Sequence, residues 1–244
     1  MNNFPENNPF DESNFKQNPF SVFDFGGYEH EGATLIPFDD LKDLRLPITQ
    51  LRELNEAEAA NIARSYEIWE MRRRKPNFTD LLTIGYAREL HRNSFVTVWD
   101  WAGMLRTKMT NIGVQPYLIQ SQLRQLLDSI KYKLELVMPG GDSNLSSKLD
   151  SVSESELESN REERLLFLLG EFAYKLVWIH PFQNGNGRWS RLYADQLADV
   201  IKVSRFSWGK SIENIPARRN EMLSALRIAD STGDISAYLS WAKK

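Results

Sequence analysis

The stretch His180-Pro-Phe-Gln-Asn-Gly-Asn-Gly-Arg-Trp-Ser-Arg191 decides the fold and the chemistry expected of this 244-residue chain. Its glycines, Gly185 and Gly187, allow the backbone to approach an anion closely. A helix that begins here points its free N–H groups and its positive dipole end at the same anion. Arg188 and Arg191 are three residues apart, so on that helix they share a face and can bind successive phosphates.

Two further side chains complete the expected site. His180 is the nearby side chain that can accept a proton near neutral pH, and Asn186 can donate a hydrogen bond to a phosphate oxygen without adding charge. The alternative is an ordinary helix start, in which His180 packs in the core while Asn184 and Gly185 form a turn. So many functional residue types in one short stretch favour a catalytic base beside a phosphate-binding turn.

The same stretch resembles the signature of the Fic family, HPFx[D/E]GNGRxxR, at every specified position except the acidic one, where Asn184 stands. The apolar run 165–179 is similar to the helix that leads into the family's catalytic loop, and residues 90–113 resemble its helix and β-hairpin flap. The likeness covers residues 36–244 and is greatest to a bacterial subfamily called mobile mystery protein B. It implies a mainly α fold: a Fic-type helical domain with a small β-hairpin flap.

The activity that this resemblance implies is AMPylation, in which a hydroxyl of a target protein attacks the α-phosphate of the substrate ATP and pyrophosphate leaves. His180 would take the proton from the Ser, Thr or Tyr hydroxyl, and Phe182 would hold the loop in the core. The implied nucleotide-binding residues are Asn184, Gly185, Asn186, Gly187, Arg188 and Arg191. The backbone amides of residues 185–187 and the side chain of Asn186 would contact the α-phosphate, Arg188 the β-phosphate and Arg191 the γ-phosphate.

Asn184 replaces the acidic residue that holds Mg²⁺ in the family. An amide oxygen can bind a hard cation but lacks the charge that favours it, so the resemblance implies a weak Mg²⁺ site at Asn184. Two alternatives to AMPylation from ATP stay open. The chain could be a regulatory nucleotide-binding protein with little or no transfer, which the neutral Asn184 favours. It could also be a Fic enzyme that uses another donor, such as a different nucleotide or CDP-choline, because the signature contacts phosphates and not the nucleobase.

Upstream, Thr49 and Glu53 match the inhibitory Fic motif [S/T]xxxE[G/N], with Leu54 intervening before the asparagine. The resemblance implies that Glu53 pairs with Arg191 and restrains ATP; the alternative is that Glu53 is a solvated helix-end charge. Asn55 with Glu58 predicts a capping box that starts the next helix, which leaves residues 48–53 as a separate turn.

Residues 104–114 alternate only partly between apolar and polar side chains, and Gly113 is their one strong turn residue. The resemblance implies a hairpin flap whose edge pairs with the backbone of the target, as in β-augmentation. An ordinary surface hairpin is the alternative. The implied target-binding residues are Arg106, Thr107, Thr110, Asn111 and Ile112.

Periodicity predicts helices at about 57–74, 79–97, 118–136, 155–178, 186–202, 215–230 and 234–242. We expect an extended or disordered tail at 1–33, which holds two Asn-Pro-Phe triplets, a region with the inhibitory helix at 34–75, and the Fic core with C-terminal helices at 76–244. Residues 139–159 are expected to form a long loop.

Composition narrows the functional classes. A formal net charge of −3 and the lack of a broad basic field argue against direct nucleic-acid binding. No charge-free apolar stretch is long enough to span a membrane, and the first twenty residues lack a signal-peptide core. The absence of cysteine is consistent with a cytoplasmic protein. The sequence leaves the target protein and a homo-oligomeric state open.

Overall fold

The computed structural model describes residues 38–110, 112–138 and 154–244. The predicted tail at 1–33, with both Asn-Pro-Phe triplets, and most of the loop predicted at 139–159 lie outside these residues. The α-helices are α1 (Phe38–Leu41), α2 (Leu51–Met71), α3 (Phe78–Leu81), α4 (Ile84–Phe95), α5 (Ile119–Val137), α6 (Glu154–Ile179), α7 (Asn186–Ile201), α8 (Ile215–Thr232) and α9 (Ser236–Lys243). A 3-10 turn at Pro116–Leu118 precedes α5.

Helix α7 is the centre of the fold. It packs against α6, α2, α4 and α3, and most of its residues are buried, including Trp189, Tyr193 and Leu197. A helix that is covered on nearly all sides lies inside a bundle rather than on its surface. The N-terminus of α7, where the predicted phosphate-binding turn lies, is therefore held from several directions.

Helix α2 begins at Leu51, which is earlier than predicted. Leu51, Leu54 and Glu58 are spaced three and four residues apart, so they share one face, and all of them are buried. Burial of the two leucines favours helical backbone through Asn55. The predicted capping box at Asn55 and the separate turn at residues 48–53 are therefore wrong.

The helix predicted at 79–97 is split into α3 and α4. The Asn77 side chain accepts a hydrogen bond from the backbone N–H of Asp80 at 2.8 Å, and the Thr83 hydroxyl accepts one from the N–H of Tyr86 at 3.1 Å. Each contact satisfies a free donor at a helix start, so two separate N-caps divide the segment. The ends of α5 to α9 lie within two residues of the prediction wherever the structure describes them.

An ionic cluster joins α2 to α7, and we call Trp69, Lys75, Asp199 and Arg205 the Asp199 cluster. The Asp199 carboxylate accepts from Trp69 Nε1 at 2.6 Å, Lys75 Nζ at 2.9 Å and Arg205 Nε at 2.8 Å. Burial alone would raise the pKa of Asp199, but these donors outweigh it and lower that pKa to about 2. The cluster fixes the C-terminal end of α2 and thereby helps to set the position of Glu58 relative to the start of α7.

The predicted β-hairpin flap is not seen in the described residues. They contain no strand, and an isolated bridge joins Leu44 and Trp99. The helices of the same residues include none with the length and apolar character needed to cross a bilayer.

Candidate active site

The loop between α6 and α7 carries the predicted base and the predicted anion cradle. Helix α6 ends at Ile179, and His180 follows with a left-handed φ of 52°. That conformation costs a non-glycine residue roughly 1–2 kcal/mol, so the surrounding contacts must hold it. The loop ends at Gly185, which has a φ of 77° and is the N-cap of α7. The next backbone N–H groups, those of Asn186 to Arg188, open the helix and have no intrahelical partner there.

The side chain of Asn186 holds the loop together through two hydrogen bonds to backbone. Its Oδ1 accepts from the N–H of Phe182 at 2.9 Å, and its Nδ2 donates to the carbonyl of Phe182 at 2.8 Å. Asn186 is fully buried. Both polar atoms of the side chain thus bind backbone, but Nδ2 has a second N–H, so the predicted contact between Asn186 and the α-phosphate stays a prediction.

His91 on α4 supports the same loop from the opposite side. Its ring stacks on Phe182 at a centroid distance of 3.7 Å. The N–H of Gly103 donates to His91 Nδ1 at 3.0 Å, so the ring proton lies on Nε2, which donates to the carbonyl of Asn184 at 3.0 Å. His91 was not among the predicted site residues. Its position on the buried face of an amphipathic helix is the sequence feature that could have indicated a role in supporting the loop.

The Asn184 side chain fits a divalent cation poorly. Its Oδ1 accepts from the N–H of Gly185 at 2.6 Å, and the residue is only 7% exposed. In the described residues no three acidic, histidine or cysteine side chains gather as a metal site would require. The one oxygen predicted to hold Mg²⁺ is neutral and already bound to backbone.

Arg188 is held by a buried ion pair with a residue that sequence reasoning missed. Its Nη2 donates to Glu58 Oε2, and the other carboxylate oxygen of Glu58 accepts from the indole of Trp99 at 2.6 Å. Glu58 is fully buried and Arg188 is 8% exposed. The missed signal is a carboxylate on the inward stripe of α2, one turn after Leu54.

The predicted inhibitory pair between Glu53 and Arg191 does not form. Glu53 is exposed in the first turn of α2, and Thr49 is exposed just before that helix. The inward face of α2 passes through Leu51, Leu54 and Glu58, which turns Glu53 towards solvent. The structure thus corrects the predicted pair: the acidic residue of α2 that reaches α7 is Glu58, and its partner is Arg188.

Arg191 lies one turn further along α7 and is half-buried. Burial is the main influence on this side chain and lowers its pKa, while Tyr66, Tyr238 and Asp195 act in the opposite direction. Among residues 38–110, 112–138 and 154–244, none forms a hydrogen bond or an ion pair with its guanidinium. A desolvated cation of this kind favours an anionic ligand.

The segment 104–114, predicted as the target-binding flap, is fastened to the loop by its own residues. Arg106 and Ile112 are buried, so neither forms an exposed edge for a target. The Arg106 guanidinium binds backbone carbonyls, and the Thr110 hydroxyl donates to the carbonyl of Ile112 at 2.6 Å. Thr107 is exposed, and Asn111 lies outside the described residues. The backbone N–H groups of Arg106 and Val114 donate to the carbonyls of Pro181 and Ile179, so they are not available for pairing across a hairpin.

Together, these residues place a buried histidine, a helix N-terminus and a half-buried arginine around one turn of backbone. Such an arrangement can bind a phosphate through main-chain N–H groups and accept a proton next to it. Arg188 belongs to the same helical face but is bound to Glu58.

Residues 81–198 match the Fic/DOC family. Among solved structures, the N-terminal Fic domain of a VirB-translocated Bep effector protein from Bartonella quintana is 18% identical, with a TM-score of 0.57 over 88% of this chain and 90% of that one. BepC from Bartonella tribocorum, solved with bound AMPPNP, is 16% identical, with a TM-score of 0.55 over 90% of this chain and 95% of that one.

Fic-1 from C. elegans is 20% identical, with a TM-score of 0.52 over 81% of this chain and 50% of that one. These identities indicate a shared fold. No curated protein sequence gives a significant match, and the likeness to mobile mystery protein B stays a prediction. The chain carries a domain of the Fic/DOC family over residues 81–198.

Proposed function

We propose that this protein transfers AMP from ATP to a hydroxyl group of a target protein and is restrained by Glu58. The observation that carries the proposal is Arg191, a desolvated guanidinium that no described residue binds, one turn from an anion-binding helix N-terminus. A polyphosphate supplies the negative charge that this position lacks. The solved BepC structure, which has a similar fold, contains AMPPNP, and this supports ATP as the donor.

In the proposed reaction, His180 accepts the proton of a Ser, Thr or Tyr hydroxyl while its oxygen attacks the α-phosphorus. The bond from that phosphorus to the bridging oxygen breaks, and pyrophosphate leaves with the bonding electrons. The N–H groups at the start of α7 stabilise the charge on the α-phosphoryl oxygens, and Arg191 stabilises the pyrophosphate. His180 is fully buried in the loop that leads into this helix start, and this position supports its proposed role.

Glu58 supplies the proposed restraint. Its carboxylate and the β-phosphate compete for Arg188, so binding ATP productively requires that a buried ion pair be exchanged for a phosphate contact. This keeps the autoinhibition expected from the sequence but moves it from Glu53 to Glu58.

The decisive experiment incubates the protein with ATP labelled at either the α- or the γ-phosphate, alone and with cell lysate. AMP transfer places label on protein from the α-labelled ATP only. His180→Ala should abolish this label while ATP affinity stays within about tenfold, because the base acts on the hydroxyl and not on the phosphates. Label from γ-labelled ATP, or full labelling by His180→Ala, would contradict the proposal.

A second candidate is a regulatory protein that binds a nucleotide and transfers little or none of it. The observation that favours it is Asn184, whose neutral oxygen accepts a hydrogen bond from the N–H of Gly185 and gives a cation little electrostatic stabilisation. Asn184→Asp separates the candidates, because a carboxylate adds charge for a hard cation. For an enzyme limited at this position, transfer rises and the Mg²⁺ concentration required falls. A variant that binds ATP and Mg²⁺ but transfers nothing supports the regulatory role.

The nucleotide donor needs a separate test, since the proposed contacts around the loop are to phosphates and not to a nucleobase. Competition of other nucleoside triphosphates and CDP-choline against labelled ATP tests it. ATP should compete best, and a stronger competitor would replace it as the proposed donor.

A further inference from the structure

Arg106 uses three of its donor atoms on main-chain carbonyls near the proposed base. Its Nε donates to the carbonyl of His180 at 2.6 Å, its Nη1 donates to that of Lys108 at 3.0 Å, and its Nη2 donates to that of Val114. Arg106 is 4% exposed. A planar fork that binds three carbonyls at once fixes their relative positions, which a single ammonium group cannot do.

Backbone N–H groups of the same segment also donate to the carbonyls of the residues on both sides of His180. The N–H of Arg106 donates to the carbonyl of Pro181 at 2.9 Å, and the N–H of Val114 donates to the carbonyl of Ile179 at 3.3 Å. Carbonyls before, at and after His180 are thus all bound by one segment. The backbone of His180 has little freedom to rotate.

Gly113 shows how closely the segment approaches the histidine. A Cβ placed on Gly113 would lie 2.5 Å from the Cβ of His180 and 2.7 Å from Arg106 Nη2. Its φ of 101° also favours glycine. The left-handed backbone of His180 is therefore enclosed by Arg106 on one side and by the bare backbone of Gly113 on the other.

We infer that Arg106 is a positioning residue for the base: it holds the strained backbone of His180 so that the imidazole meets the acceptor hydroxyl. This role rests on the proposed function of His180. It replaces the target-binding role expected of Arg106 from the sequence. The described residues of the segment 104–114 then contribute to catalysis indirectly, because they set the orientation of the His180 imidazole.

The test compares Arg106→Lys with Arg88→Lys. Arg88 donates from Nε to the carbonyl of Gly103 at 2.9 Å and is largely exposed, so it binds a nearby loop without reaching His180. We expect Arg106→Lys to lower kcat for AMP transfer by about 100-fold with the KM for ATP little changed, since displacing a catalytic group by about 1 Å has an effect of that size. Arg88→Lys should transfer normally.

A readout that does not depend on transfer keeps the two proposals apart. The chain has three histidines, so ¹⁵N-histidine spectra of the full-length protein can be assigned by substitution. Arg106→Lys should move the ring signals of His180, whereas Arg88→Lys should leave them unchanged. If the wild-type protein transfers nothing, the proposed function fails, and the spectra still decide the role of Arg106.

Unchanged His180 signals in folded Arg106→Lys, or equal kcat in both lysine variants, would overturn the inference. If Arg106→Lys does not fold, Arg106→Ala with added guanidinium is the second test. Recovery of the His180 signals by guanidinium supports positioning. Failure of this variant to fold with guanidinium assigns Arg106 a structural role instead.

Discussion

Replacing Glu58 with glutamine tests whether the buried ion pair restrains the site. The change leaves the guanidinium of Arg188, which is 8% exposed, without its counter-charge. Removing one partner of a buried pair lowers the free energy of unfolding by about 3–5 kcal/mol. The lower end, about 3 kcal/mol, is expected because the glutamine oxygen can still accept from Trp99. For a domain of this size that corresponds to a fall in Tm of about 6–12 °C.

ATP should reverse most of this loss if a phosphate takes the place of the carboxylate. A ligand at about 100 times its Kd stabilises the folded state by about 2.7 kcal/mol, which is close to the loss expected from Glu58→Gln. Thermal melts with and without ATP measure this compensation, and labelled ATP measures transfer. The variant should bind ATP more tightly and label protein faster than wild type does.

Glu53→Gln is the matched control, because Glu53 is exposed on the same helix. Its stability should change by less than about 1 kcal/mol, and its transfer rate should not change. Should Glu58→Gln lose stability while ATP affinity and labelling stay at wild-type levels, the ion pair is structural and the proposed restraint is wrong.

Three further changes test individual contacts of the site and the fold. Asn186→Ala should lower the free energy of unfolding by about 3 kcal/mol, because it leaves the buried N–H and carbonyl of Phe182 without partners; chemical denaturation measures this. Gly185→Ala should destabilise by about 2 kcal/mol or more and weaken ATP binding, as its Cβ would lie 2.6 Å from the ring of Phe95 at a φ of 77°; thermal melts and titration with ATP check both effects. Asp199→Asn should lower stability by about 1 kcal/mol near pH 6, and the difference from wild type should vanish in denaturation experiments as pH falls from 3.8 towards 2, because a lowered carboxylate pKa stabilises the fold only while that group is ionised.

The conformation of the loop between α6 and α7 could be predicted from the sequence because its requirements are local. Gly185 supplies the positive φ that ends the loop, and the residues after it begin a helix at Asn186 as expected. The long helices were predictable for the same reason, since periodic apolar residues mark their buried faces. The prediction differed from the structure at the start of α2 and in the segment 79–97, which forms two helices instead of one.

The ion pair at Arg188 could not be found in this way, because Glu58 lies 130 residues away in sequence. A short inhibitory pattern pointed to Glu53, but the choice between the two glutamates depends on which face of α2 is buried. That face is determined by Leu51 and Leu54, which pack against the core.

Side-chain amides and guanidinium groups are also difficult to assign from sequence. Asn186 and Arg106 can bind either a ligand or backbone, and sequence alone does not separate these uses.

The loop around Phe182 is held by contacts within the protein, because Asn186 and His91 bind its backbone from two sides. Conformational entropy of the loop is therefore lost during folding, and an incoming phosphate does not have to order it. A mutational scan that records only activity would misread this arrangement. An inactive Asn186 variant would resemble the loss of a substrate contact, although the change also removes two hydrogen bonds that hold the loop. Measurements of folding beside activity are what distinguish the framework of this site from the groups that meet its substrate.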